Sequence, residues 1–242
     1  MYFAPTFGIA AVWSMLMGIF AHFVGTCIQH DGNHGAFSSN KLLNKVSGAT
    51  MDMIGASAFT WEIQHMLGHH PYTNVLDTDG ERRKENGEED DAEHFLATVD
   101  QESDPDVFSS FPLMRMHPVH DPEWYHRYQH IYAPALFALM TLAKVFQQDF
   151  EVASTHRLYH IDANCRYADI SNVIRFYSMK IISLCYMMIL PLYFHGWKNG
   201  TLLFIIGHLT CGESLATMFI VNHVIGELVD ILLTGILLIN LV

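Results

Sequence analysis

Histidines 65, 69 and 70 fall within six positions of "WEIQHMLGHHPYTN" (61–74), and histidines 30 and 34 fall within "QHDGNHGAFSSN" (29–40). On a helix, His30 with His34 and His65 with His69 are i, i+4 pairs that share a face, and His70 lies about 100° further round. At least two ring nitrogens of each cluster can then converge on one point, which is how a helix grips a transition metal. A single histidine on an apolar face is ordinarily a hydrogen-bonded core residue, but five in two like clusters exceed what one four-coordinate zinc can use. The surplus points to a two-metal centre.

Clusters 31 residues apart in sequence, counted from His34 to His65, need scaffolding that returns the chain to one place. Met1 to His30 contains no Asp, Glu, Lys or Arg, a stretch long enough to cross the hydrocarbon core of a bilayer. Ile181–Trp197 and Gly200–Val221 are apolar too, the second holding only Glu213 as a charge, and "GWKNG" (196–200) reads as a turn between them. Three spanning helices are therefore expected. If both clusters bind the same metals they lie on one side of the membrane, so residues 42–61, amphipathic and carrying Lys45 and Asp52, should lie in the interface or dip back. Residues 131–146 are short for a span, with Pro134 near the start, where a helix tolerates it. The final hairpin returns to the side it left and delivers His223 there as a sixth imidazole.

Other histidines repeat the spacing. His126 with His130, and His156 with His160, sit among Arg, Tyr and Trp and read as inter-helix or interfacial contacts. His208 is expected to be packed or hydrogen-bonded. Glu213, expensive to bury within a span, is a functional candidate without an assigned role.

The net charge of −12 is concentrated in one insert: residues 77–106 carry 13 acidic and 3 basic side chains, the composition of a solvated loop. No basic patch interleaves with aromatics, so nucleic-acid binding has no support. Cys27, Cys165, Cys185 and Cys211 form no CxxC pair, which argues against a disulfide framework or a sulfur-ligated metal.

With HxxxH at 30–34 and HxxxHH at 65–70 beside apolar spans, the sequence resembles the membrane fatty acyl desaturases. The likeness is to the front-end (Δ5/Δ6-type) branch, through "HDGNHGAFSSN", "WEIQHMLGHHPYTN", "DPDVFSSFPLMRMHP", "WYHRYQHIYAP" and "FIVNHVIGE" in that order. The resemblance implies an all-α membrane helical bundle with a cytosolic histidine-rich di-metal cap, in the endoplasmic reticulum. It implies two iron ions held by His30, His34, His65, His69, His70 and His223, and O2-dependent desaturation of an acyl-CoA or acyl-lipid with cytochrome b5 as electron donor. On this reading residues 1–227 form a partial desaturase domain with the insert at 77–106, followed by an atypical tail at 228–242. Asn199 of the sequon "NGT" would be lumenal.

Two departures accompany the likeness. The family carries a third Q/H-x-x-H-H box after the last hairpin, whereas here no histidine follows His223, and the branch's HPGG haem motif is not present. These mark the chain as a shortened member, in which catalysis by residues 1–242 alone is expected to fail. The competing classes are an acyl hydroxylase of the same fold and a non-catalytic histidine-rich metal-binding membrane protein.

Overall fold

The computed structural model describes residues 1–70, 112–115, 121–158, 161–167 and 169–223, with only the backbone of 165, 166 and 220–223. The acidic insert at 77–106 and the tail at 228–242 lie outside the described residues.

The first long apolar run begins at α1 (Phe7–Phe23), whose N-terminus is capped by the Thr6 hydroxyl accepting from Ile9 N–H. It passes through a π turn (Val24–Ile28) into α2 (Gln29–Asn33), which carries His30 and ends at His34. Three short helices follow: α3 (Lys41–Gly48), α4 (Thr50–Met53) and α5 (Ala58–Glu62). Leu42, Leu43 and Val46 of α3 are exposed beside Lys41 and Lys45, so the helix is amphipathic as its sequence suggests. A second π turn (Ile63–His69) continues α5 and carries His65 and His69.

Residues 131–146 prove to be the middle of a longer helical run. That run consists of α6 (Gln129–Ala138), α7 (Met140–Ala143), a π turn (Lys144–Gln148) and α8 (Asp149–Thr155). Pro134 therefore sits inside α6 rather than near a start, because the helix already begins in the polar aromatic stretch before residue 131. The chain then makes a two-residue antiparallel hairpin, β1 (Arg157–Leu158) with β2 (Ile161–Asp162), a small departure from an all-α reading.

After α9 (Asn164–Tyr167) comes α10 (Ile170–Leu184), capped by Asp169. A π turn (Cys185–Ile189) leads into α11 (Leu190–His223). The helix starts 11 residues before Ile181, where the charge pattern put the boundary, since Arg175 and Lys180 are neutralised inside the fold. The turn is also tighter than "GWKNG" suggests. Gly196 alone leaves helical geometry (φ 73°, ψ 167°), a conformation open to glycine, and Gly200 then lies against the backbone of Pro191 and Leu192.

The second arm of α11 runs parallel to α1. Ser14 donates to Leu203 O at 2.5 Å, Gly18 lies against Gly207, and Gly25 faces Leu215. Two helical runs, Phe7–Asn33 and Ile170–Phe219, are long and apolar enough to cross a membrane.

The α1–α11 seam depends on small residues. A Cβ on Gly18 would stand 2.5 Å from Gly207 O, whereas one on Gly8 would meet nothing within 4 Å. Gly18→Val should therefore destabilise the chain by about 1–3 kcal/mol, while Gly8→Ala should be neutral or slightly stabilising. Thermal unfolding of the two variants in the same detergent checks this.

Candidate metal centre

The first cluster is held by polar bonds along its own helix and by close packing on α3. Gln29 donates to Gly25 O (2.6 Å) and accepts from Asn33 (2.9 Å). Gly32 touches Ser47 and Gly48 so closely that any Cβ would clash. Asn44 pins the following loop by donating to Gly35 O and Ser38 O and accepting from Ser38 N–H. His34 is thereby fixed at the C-terminus of α2.

The second cluster owes its geometry to the π turn. His70 N–H donates to His65 O, an i→i+5 bond, so the wider turn brings His65 and His70 onto the same side. Their Nε2 atoms lie 3.1 Å and 3.2 Å from His34 Nε2. His65 and His69 lie side by side, as their i, i+4 spacing suggests, with stacked rings whose centroids are 4.9 Å apart, and the π turn adds His70 against His34. His30 completes the group, and ligand nitrogens of His30, His34 and His65 all lie within 4.8 Å of one another. The Nδ1 of His30 is 3.2 Å from the Asp31 carboxylate, a partner of the kind that orients a metal-binding imidazole. The side chain of His223 lies outside the described residues.

A neutral imidazole nitrogen offers either one N–H or one lone pair. His34 Nε2 cannot serve two imidazole neighbours as both donor and acceptor. A shared cation resolves this, because two nitrogens each about 2.0–2.1 Å from a tetrahedral ion stand about 3.3 Å apart. The residues present therefore fit a metal, and the all-nitrogen donor set suits iron, zinc or copper.

Burial, followed by the neighbouring His30, His65 and His70, lowers the His34 pKa to about 4. The ring is thus held neutral and able to ligate at pH 7.

Trp61 stacks on His65 at 4.3 Å and also lines an apolar cavity of about 800 Å³. The cavity follows one face of α1 from Ser14 through Gly18, Ala21 and Gly25 to Gln29, a length of about 22 Å at 1.5 Å per residue. All four π turns among the described residues contribute to its wall, through Gly25, Gln64, Lys144 and Tyr186.

Of the other histidines, His126 accepts from Glu123 N–H and donates to Pro112 O, and His156 bonds Asn164 and stacks on Tyr167. Both are structural, as their surroundings in the sequence suggest. His160 lies outside the described residues. His208 is buried against Thr141 and faces the cavity. Glu213 has a buried carboxylate oxygen without a hydrogen-bond partner among the described residues. Sequence reasoning missed Trp61, although its i, i+4 spacing from His65 was a usable signal, and it missed the buried ion pairs, whose members lie far apart in the chain.

This geometry accompanies a clear kinship: the chain belongs to the fatty acid desaturase family, which it matches over residues 5–231. It is 31% identical over 221 residues to an acyl-lipid (8-3)-desaturase of Physcomitrium patens, covering 90% of this chain and 41% of that protein. It is 31% identical over 227 residues to acyl-lipid (8-3)-desaturase B of Dictyostelium discoideum, covering 92% and 42%. It is also 36% identical over 129 residues to the sn-1 linoleoyl-lipid 6-desaturase of Arthrospira platensis, covering 51% and 28%. The chain thus spans about two fifths of the length of the first two relatives. No solved structure matches.

A histidine whose folded pKa lies below its unfolded value binds protons more readily when unfolded. In the metal-free chain, the His34 contribution should be fully present above about pH 6.5, and should fall away as the pH drops towards about 4. Two-dimensional NMR of ring-labelled histidine should find His34 still neutral at pH 5.5, and a midpoint near 6.5 would contradict the site's geometry.

Proposed function

We propose that the chain forms the metal-binding part of a membrane-bound acyl desaturase. The observation that carries this reading is the convergence of His34, His65 and His70 at 3.1–3.2 Å in a chain of the desaturase family. His30, His34, His65, His69 and His70 would hold two iron ions, with His223 at the end of α11 as the sixth ligand. Iron supplies the O2 chemistry that side-chain acids and bases cannot, since the C–H bonds of a methylene chain are unactivated. Desaturation takes two hydrogens from adjacent methylenes, and two electrons with two protons from a donor complete the reduction of one O2 to two waters.

The chain's own residues bind and orient the substrate. The apolar cavity would take the acyl tail of an acyl-lipid or acyl-CoA, with Trp61 between the tail and the metal ligands, and the wall of Met17, Met51, Met140 and Met187 can adapt to a bent chain. The long apolar runs would span the endoplasmic reticulum membrane, leaving the histidines cytosolic, where cytochrome b5 donates electrons. Residues 1–227 would form one desaturase domain, with the insert at 77–106 and the tail at 228–242 outside its catalytic core.

Loaded anaerobically with Fe(II), the purified chain should hold about two irons, and His34→Ala should lose most of them. Stoichiometric zinc taken in preference to iron would overturn the metal assignment. The reaction is tested by replacing the matching stretch of the Physcomitrium patens relative with these residues and analysing yeast lipids. A new acyl double bond that vanishes with His34→Ala is expected. A new hydroxyl group would mark a hydroxylase, and a chimera that reaches the membrane without altering any lipid would leave only a metal-binding membrane protein.

A further inference from the structure

We propose that Asp149 is a positioning residue for the second histidine cluster, acting through Thr60 and through the Lys144–Gln64 pair. The inference rests on reading those histidines as metal ligands. The Asp149 carboxylate is fully buried, at the start of α8. One of its oxygens accepts from the Thr60 hydroxyl and lies 3.5 Å from Lys144 Nζ, and the other accepts from Lys180 Nζ at 2.6 Å. Lys180 uses its remaining donors on Gly55 O (2.7 Å) and Val145 O (3.1 Å), and Lys144 donates to Gln64 Oε1 (2.8 Å). A single carboxylate therefore governs the cluster-bearing segment at three points: Gly55 before α5, Thr60 within it, and Gln64 in the π turn.

The arrangement fixes rotation as well as position. Thr60 and Gln64 are four residues apart and share a face. Trp61 and His65, each one residue later, share the adjacent face and stack on each other. Holding the first face against Asp149 determines where the second points, and with it the direction of His65 towards His34.

Stability alone does not account for the network. Burying ions is costly, and replacing a buried ion pair by well-packed apolar residues is often neutral or stabilising. Directional hydrogen bonds are what such a replacement would forfeit.

The test uses the whole chain in detergent with Trp13, Trp124 and Trp197, all exposed, changed to Phe, so that buried Trp61 alone fluoresces. Thr60→Val keeps the side-chain volume and removes the hydroxyl, whereas Thr60→Ser keeps the hydroxyl and removes a buried methyl. Positioning predicts that Val lowers Co(II) affinity about tenfold or more and shifts the metal-free Trp61 emission to the red, while Ser stays within about twofold of the parent. A packing role predicts the reverse order, and that result, or equal loss in both variants, would overturn the proposal. A parent chain that takes up no Co(II) would refute the ligand reading, and metal-free Trp61 emission would still decide the positioning: no shift in Thr60→Val overturns it. Should Thr60→Val fail to accumulate, Lys144→Met cuts the Gln64 arm and must give the same paired change in affinity and emission.

Discussion

Two imidazole nitrogens brought within 3.1–3.2 Å of a third crowd its lone pair, and the scaffold around them can be understood as what that crowding requires. Neutral rings are needed, which the depressed pKa of His34 supplies. Two segments from different parts of the chain must also be rigid enough to keep the rings together. The first is clamped by Gly32 against α3 and by Asn44 over the loop beyond His34. The second is held from behind by buried carboxylates. Asp52 accepts from Ala58 N–H at the start of α5 and from Arg175 through two bonds of 2.8 Å and 2.6 Å, while Asp149 reaches Thr60 and Lys180. Both carboxylates anchor on α10, so that helix serves as the frame for the histidines.

The same frame joins the histidine cluster to the cavity. The π turns that line the cavity lie beside the first cluster, within the second, and on the two runs that bear Lys144 and Tyr186. A π turn widens the helix and opens backbone geometry that a regular α-helix would close. Trp61 belongs to both, stacking on His65 and lining the cavity. A ligand that moved this indole would be felt at the imidazole stacked on it.

Much of the centre was legible in the sequence because histidine spacing on a helix is a local property. His30 with His34 and the cluster at 65–70 were identified by periodicity, and the structure brings the two together. The placing of His70 directly against His34 was not legible, because nothing local announces an i→i+5 turn. The start of α10 was misjudged for a related reason. Arg175 and Lys180 look like the polar flank of a span until their partners, Asp52 and Asp149, are known, and those partners lie 123 and 31 residues away. Pro134 was read as marking the start of a helix, but the aromatic and polar residues before it extend the helix backwards.

The most direct measurement is iron K-edge X-ray absorption on the Fe(II)-loaded chain, with His34→Ala and His70→Ala alongside. The parent spectrum should show a first shell dominated by nitrogen with the multiple-scattering signature of imidazole, and each substitution should reduce that signature. A first shell dominated by carboxylate oxygen or sulfur, or an imidazole signature that survives both substitutions, would contradict a metal centre built where His34 meets His65 and His70.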